Sequence, residues 1–255
     1  MKYDCGPQEQ LSTLMNVKSA TEWEQDRPRL LRKLQDFAAI MTQRPFDNVH
    51  GLRGVSAFAL YWFIQEVQPT VVFEVGVWKG FSTWIIRRAA PKAKVFCLDP
   101  LFMLESFLDM SKVGPTYRDP AVSYLRDEFS CANIAELAAQ AAHPLVFFDD
   151  HQNKLPRVRQ AKDAGIKHII FDDNEAAGYT HRTLEQDRSD INSARLLDQL
   201  IDRYEVFPAL WNIDALLNEC VRVKEKGMDF PVTPELMEIY KERDWHSYVT
   251  YLHLR

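Results

Sequence analysis

Two short stretches carry the residue types from which a reactive centre could be built: Asp149-Asp150-His151 and Asp172-Asp173-Asn174. Carboxylates gathered at one place repel one another unless a cation or a proton offsets them. A fold that brings these groups together therefore implies a metal ion or a shared proton. The plainer reading is that each doubled acid caps the helix that follows it. A third stretch, Glu74-Val75-Gly76-Val77-Trp78-Lys79-Gly80-Phe81-Ser82, places two glycines four residues apart ahead of a helical sequence. Glycine there lets backbone approach a ligand with no Cβ in the way, and a helix start offers N–H groups to an anion. The spacing is neither the dinucleotide G-x-G-x-x-G nor the phosphate-loop G-x-x-x-x-G-K-[ST]. Asp99, twenty-five residues after Glu74, stands where an acceptor for a ribose diol would sit. A tight turn with nothing bound is the alternative for this segment.

These residues need elements to hold them. Four apolar runs, Val71–Val75, Lys94–Asp99, Pro144–Asp150 and His168–Asp173, each end at or near an acid and are separated by helical sequence. Such runs indicate a parallel sheet with helices on its faces, whose ligand crevice lies beyond the carboxyl ends of the strands. Helices are expected from Pro28, with Asp26 as a cap, to Met41, and over Val55–Val67, Ser82–Ala90, Asn133–Ala141 and Asn192–Arg203. Strands are expected at Tyr204–Ala209 and His246–Leu254. Residues 175–190, with Gly178, Tyr179 and His181, read as a polar loop over the crevice. No linker divides the chain, so a helical cover over 1–65 joins an α/β unit over 66–255 in one compact domain. His50, His143, His168 and His253 read as structural.

Glu-x-Gly-x-x-x-Gly-Phe-Ser, followed by an acid at the end of the next strand, resembles the S-adenosylmethionine pocket of class I methyltransferases. The nearer resemblance, over residues 71 to 174, is to metal-dependent catechol-type and sugar or macrolide O-methyltransferases, through Asp150-His151 and Asp173-Asn174. It implies a Rossmann-like, doubly wound, mostly parallel seven-stranded sheet. It further implies S-adenosylmethionine held by Glu74, Gly76, Trp78, Gly80, Ser82, Asp99, Ser130, Cys131 and Asp150. Mg2+ (or Mn2+) would be bound by Asp150, Asp173 and either Asp172 or Asn174, an oxygen set suited to a hard cation. The family's lysine base falls on Asn153 here, and the sugar enzymes' acid falls on Gln152, so Lys154, His151 and His181 all stand as base candidates. The implied activity is methyl transfer to a hydroxyl of a small polyhydroxylated acceptor, a sugar or sugar-bearing natural product. A hydroxylase-like relative of the same fold and a non-catalytic cofactor-binding subunit are the alternatives. The Asp149-Asp150 run also resembles the late motif of haloacid-dehalogenase-type phosphatases, but no strand ends in their nucleophilic Asp-x-Asp.

Composition bounds the rest. The chain has 255 residues, 46% of them hydrophobic and 26% charged, with a net charge of −5. It is long enough to bury a core without staples, and its acidity is the wrong sign for a nucleic-acid partner. No run approaches a membrane span. Four scattered cysteines with no C-x-x-C pair argue for free thiols and a cytoplasmic setting. A homo-oligomer is compatible with all of this. Only nine glycines are present, so each is a marker of backbone need.

Overall fold

The computed structural model describes residues 15–48, 51–100, 116–175, 181–211, 227–237, 239 and 248–255. Among the described residues eight strands form one sheet: β1 (Asn16–Val17), β2 (Val71–Val75), β3 (Lys94–Leu98), β4 (Val122–Leu125), β5 (Pro144–Phe148), β6 (His168–Phe171), β7 (Ile201–Val206) and β8 (Thr250–Leu254). Their order is β1-β7-β8-β6-β5-β2-β3-β4, and β8 alone runs antiparallel to its neighbours. The sheet is doubly wound, and its order reverses between β2 and β5. It has eight strands against the seven expected, because Asn16 and Val17 pair with Arg203 and Tyr204 on the outer side of β7. That two-residue strand and the short edge strand β4 carry too little periodicity to be read from sequence.

Helices cover both faces. On one lie α1 (Ala20–Met41), α2 (Gly54–Val67) and α3 (Phe81–Ala89), packed on Val72, Val95, Leu145, Phe147 and Ile170. On the other lie α4 (Ile134–Ala139), α5 (Lys154–Asp163) and α7 (Ile191–Leu200), packed on Phe73, Val146, Phe148 and Phe171. The central strands are buried on both faces, which explains why they read as unbroken apolar runs. The α2 sequence is buried at every position from Gly54 to Ile64, so it shows almost no polar face.

Several boundaries differ from the sequence reading. Helix α1 starts eight residues before Pro28, because Ser19 and Glu22 form a capping box there. Pro28 then sits inside the helix, where it gives up one backbone hydrogen bond. Strand β7 begins three residues earlier than Tyr204, directly after α7. Within the expected loop over 175–190, Thr183 and Gln186 make a second capping box and start the short α6 (Leu184–Arg188). Gly178 and Tyr179 lie outside the described residues, as do His50 and the first residues of the expected last strand.

Candidate functional site

The ladder hydrogen bonds continue one residue past the strands and fix the acids at a common level. Asp99 donates its N–H to Leu125 O (3.1 Å), Asp149 to Val75 O (2.8 Å) and Asp172 to Phe148 O (3.1 Å). All three therefore stand at the carboxyl edge, around the point where strand order reverses and where open α/β sheets bind ligands.

The turn after β2 is built around its two glycines. Gly76 and Gly80 have φ of +87° and +84°, a region that penalises any side chain. A Cβ on Gly76 would also collide with the backbone of Asp149, reaching 2.7 Å from its carbonyl carbon. Gly80 caps α3 without a side chain, so no capping side chain bonds the N–H groups of its first turn. Asp99 Oδ2 accepts from the Val77 N–H at 2.9 Å and ties the turn to the end of β3. Beneath the turn, the fully buried Glu74 accepts from Ser82 Oγ, from Thr83 Oγ1 at 2.6 Å and from Cys97 Sγ at 3.0 Å. Burial pushes the Glu74 carboxyl up despite these three donors, and it pushes the Cys97 thiol well up. Ser82, expected to face a ligand, is thus the bolt between α3 and β2. Trp78 is 44% exposed on the same turn, with Lys79 Nζ 5.2 Å from its ring centroid. Ser130 and Cys131 are exposed in the loop after β4, at the same edge of the sheet.

The acids of β5 and β6 part company. Asp149, His151 and Asp173 bring one potential ligand atom each to within 4.8 Å of one another. His151 Nδ1 lies 3.0 Å from Asp173 Oδ2, and this contact raises the imidazole pKa. His151 and Asp173 both adopt the left-handed conformation, with φ of 52° and 51°. Asp149 is held well above the ordinary carboxyl range by burial, then by Asp173. Asp150 instead faces Arg157 on α5, which also reaches Glu128 at 3.0 Å, while Asp150 Oδ1 is buried without a hydrogen-bond partner. Asn174 is turned inward and fully used: its amide nitrogen donates to Tyr204 Oη (2.8 Å) and Thr250 Oγ1 (2.9 Å), and its oxygen accepts from Leu184 N (2.8 Å). Asp172 is buried.

Two of the three base candidates are buried beside this cluster. Lys154 is 1% exposed, and its Nζ has no hydrogen-bond partner. Burial lowers its pKa, against the pull of Asp173, Asp172 and Asp149. His181 is 8% exposed, its Nδ1 also lacks a partner, and its ring stacks 5.9 Å from that of His151. Its pKa is lowered by burial.

No family model and no curated protein matches the chain. Solved structures similar to it include an apo structure of CmcI, at TM-score 0.42 and 14% identity, covering 63% of this chain and 73% of that one. The SAH-bound methyltransferase PaMTH1 of Podospora anserina matches at TM-score 0.36 and 16% identity, over 58% of this chain and 64% of that one. The SAM complex of the O-methyltransferase TomG of Streptomyces achromogenes matches at TM-score 0.36 and 16% identity, over 66% and 74%. At such identities no activity passes from these proteins to this chain.

Sequence reasoning named Asp149 among the acids but missed it as the partner of Asp173. It missed Arg157 altogether, although an arginine in the first turn of a helix that follows an acidic strand end is a visible pairing signal.

Proposed function

We propose that the protein is an S-adenosylmethionine-dependent O-methyltransferase, assisted by a divalent cation and acting on a hydroxyl of a small polyhydroxylated acceptor such as a sugar or a sugar-bearing natural product. The observation that carries this reading is the junction at the reversal point. There the turn between Gly76 and Gly80 meets an acid ending β3 on one side and a cluster of acid and imidazole on the other. Gly76 and Gly80 let the turn pack directly on the backbone of Asp149 and Tyr117 and so hold the start of α3 at this edge, and Asp99 stands at the level of a ribose diol. Trp78 and the loop with Ser130 and Cys131 border the same edge.

When bound, the donor supplies its sulfonium methyl to an acceptor oxygen in an in-line displacement. The chain's own part is to hold the two reactants in line and exclude water, which accounts for most of the rate in such a transfer. Lys154 Nζ, buried and without a partner, receives the proton of the acceptor hydroxyl. The polar segment with His181 and Arg182 faces an acceptor rich in hydroxyls better than an apolar ring.

The test is transfer of labelled methyl from S-adenosylmethionine to a panel of sugars and glycosides. Transfer should stop with chelator and return with added divalent ion. Donor binding with no transfer to any hydroxyl acceptor would instead favour a non-catalytic subunit.

A further inference from the structure

Two oxygen donors that the catechol-type resemblance implies, Asp150 and Asn174, are engaged elsewhere in the fold. Asp150 is committed to Arg157, and both ends of the Asn174 amide serve Tyr204, Thr250 and Leu184. In their place the fold converges Asp149, His151 and Asp173. We propose that this mixed nitrogen and oxygen site selects a borderline first-row ion of the Fe2+, Co2+ or Zn2+ class over Mg2+.

The chemistry follows from the donors. Mg2+ prefers oxygen ligands in a strict octahedron and sheds water reluctantly. Imidazole is a donor for the later first-row ions, whose affinity for such sites rises along the series. One imidazole and two carboxylates leave open positions for water or an acceptor oxygen, the pattern of a catalytic rather than a structural metal site. The cluster does not stand on acidity alone. His181 is more than nine-tenths buried, its Nε2 lies 3.3 Å from Asp173 O, and its Nδ1 is unpartnered. Lys154, also more than nine-tenths buried, feels Asp173 more strongly than any other charge and makes no hydrogen bond with it. Both groups are held beside the cluster with bonding capacity that no atom among the described residues uses. Both His151 and Asp173 adopt left-handed backbone, which few residues other than glycine take.

The inference rests on the proposed metal-assisted reading of the crevice, but it is tested without donor or acceptor. The chain is titrated with Co2+, Zn2+ and Mg2+ by calorimetry, and the Co2+ form is followed by its visible absorption. Expected are saturable binding of Co2+ and Zn2+, at least about 100-fold tighter than Mg2+, and a Co2+ spectrum typical of mixed nitrogen and oxygen ligation. His151→Ala should weaken Co2+ by about tenfold or more, and His151→Asp should restore binding while moving preference toward Mg2+. His151 has a side chain 59% exposed, so both variants should fold. Equal affinity for Mg2+ and Zn2+, Co2+ binding unchanged in His151→Ala, or no saturable binding of any ion would overturn the proposal. S-adenosylmethionine is titrated into the metal-free chain separately, so failure of the donor reading and failure of the metal reading appear in different experiments.

Discussion

The two ends of the sheet treat polar groups in opposite ways. At the starts of β5 and β6 a cavity of about 940 Å³ is lined by Lys18, Arg29, Trp62, His168, Tyr251 and His253, among others. Its charges are answered. Lys18 bridges Asp26 (2.6 Å) and Glu205 (3.1 Å), Arg29 bridges Asp26 (2.9 Å) and Glu66 (2.6 Å), and His168 meets Tyr251 Oη at 2.8 Å. At the carboxyl edge Lys154 Nζ, His181 Nδ1 and Asp150 Oδ1 are buried without partners, and His151 and Asp173 sit in strained backbone. An unmade buried hydrogen bond costs about 1–3 kcal/mol, so a chain carries three of them at one edge of its sheet where something else completes them. The contrast locates the working end of the sheet without appeal to any relative.

Three changes put weight on that contrast, in descending size. Lys154→Met removes the buried amine and keeps its stem. Methyl transfer should fall at least about 100-fold, while the urea midpoint rises by the equivalent of about 1 kcal/mol, because a buried amine without a hydrogen-bond partner is lost. A fall in both would mean that Lys154 is structural. Gly76→Ala forces a Cβ against Asp149 in left-handed backbone and should cost about 2–3 kcal/mol in urea unfolding, together with donor binding. A neutral result would show that the turn relaxes freely and holds nothing. The smallest effect belongs to the opposite end. Burial, with His253, His143 and Lys167 adding to it, pushes the His168 imidazole down to about 4. The unfolded chain then binds the extra proton, so His168 contributes stability above pH 6.5 that is lost as pH falls from 6.5 toward 4. Between pH 7 and pH 5 that loss is about 1 kcal/mol once solvent screening of the half-exposed ring is allowed for. His168→Gln should flatten this part of the profile and leave methyl transfer at pH 7 unchanged.

The same contrast explains what could be read from sequence. The central strands and their terminal acids were legible because burial on both faces leaves unbroken apolar runs with an abrupt polar end. The glycine turn was legible because backbone constraint selects residue type directly. Which acid of each pair faces the crevice was not legible. It depends on the left-handed turns at His151 and Asp173, which histidine and aspartate adopt more often than most residues but which their presence does not dictate. The pairing of Asp150 with Arg157, and the capture of Asn174 by Tyr204 and Thr250, are long-range choices made by packing. The edge strands β1 and β4 are not legible in sequence, because two and four residues carry no period.

The most direct measurement is calorimetric titration of the chain with S-adenosylmethionine and with its demethylated product. Saturable one-to-one binding of both is expected, weakened about tenfold or more by Asp99→Ala, the loss of one charged hydrogen-bond acceptor. Absence of binding by either compound, or binding that Asp99→Ala and Gly76→Ala leave untouched, would contradict it.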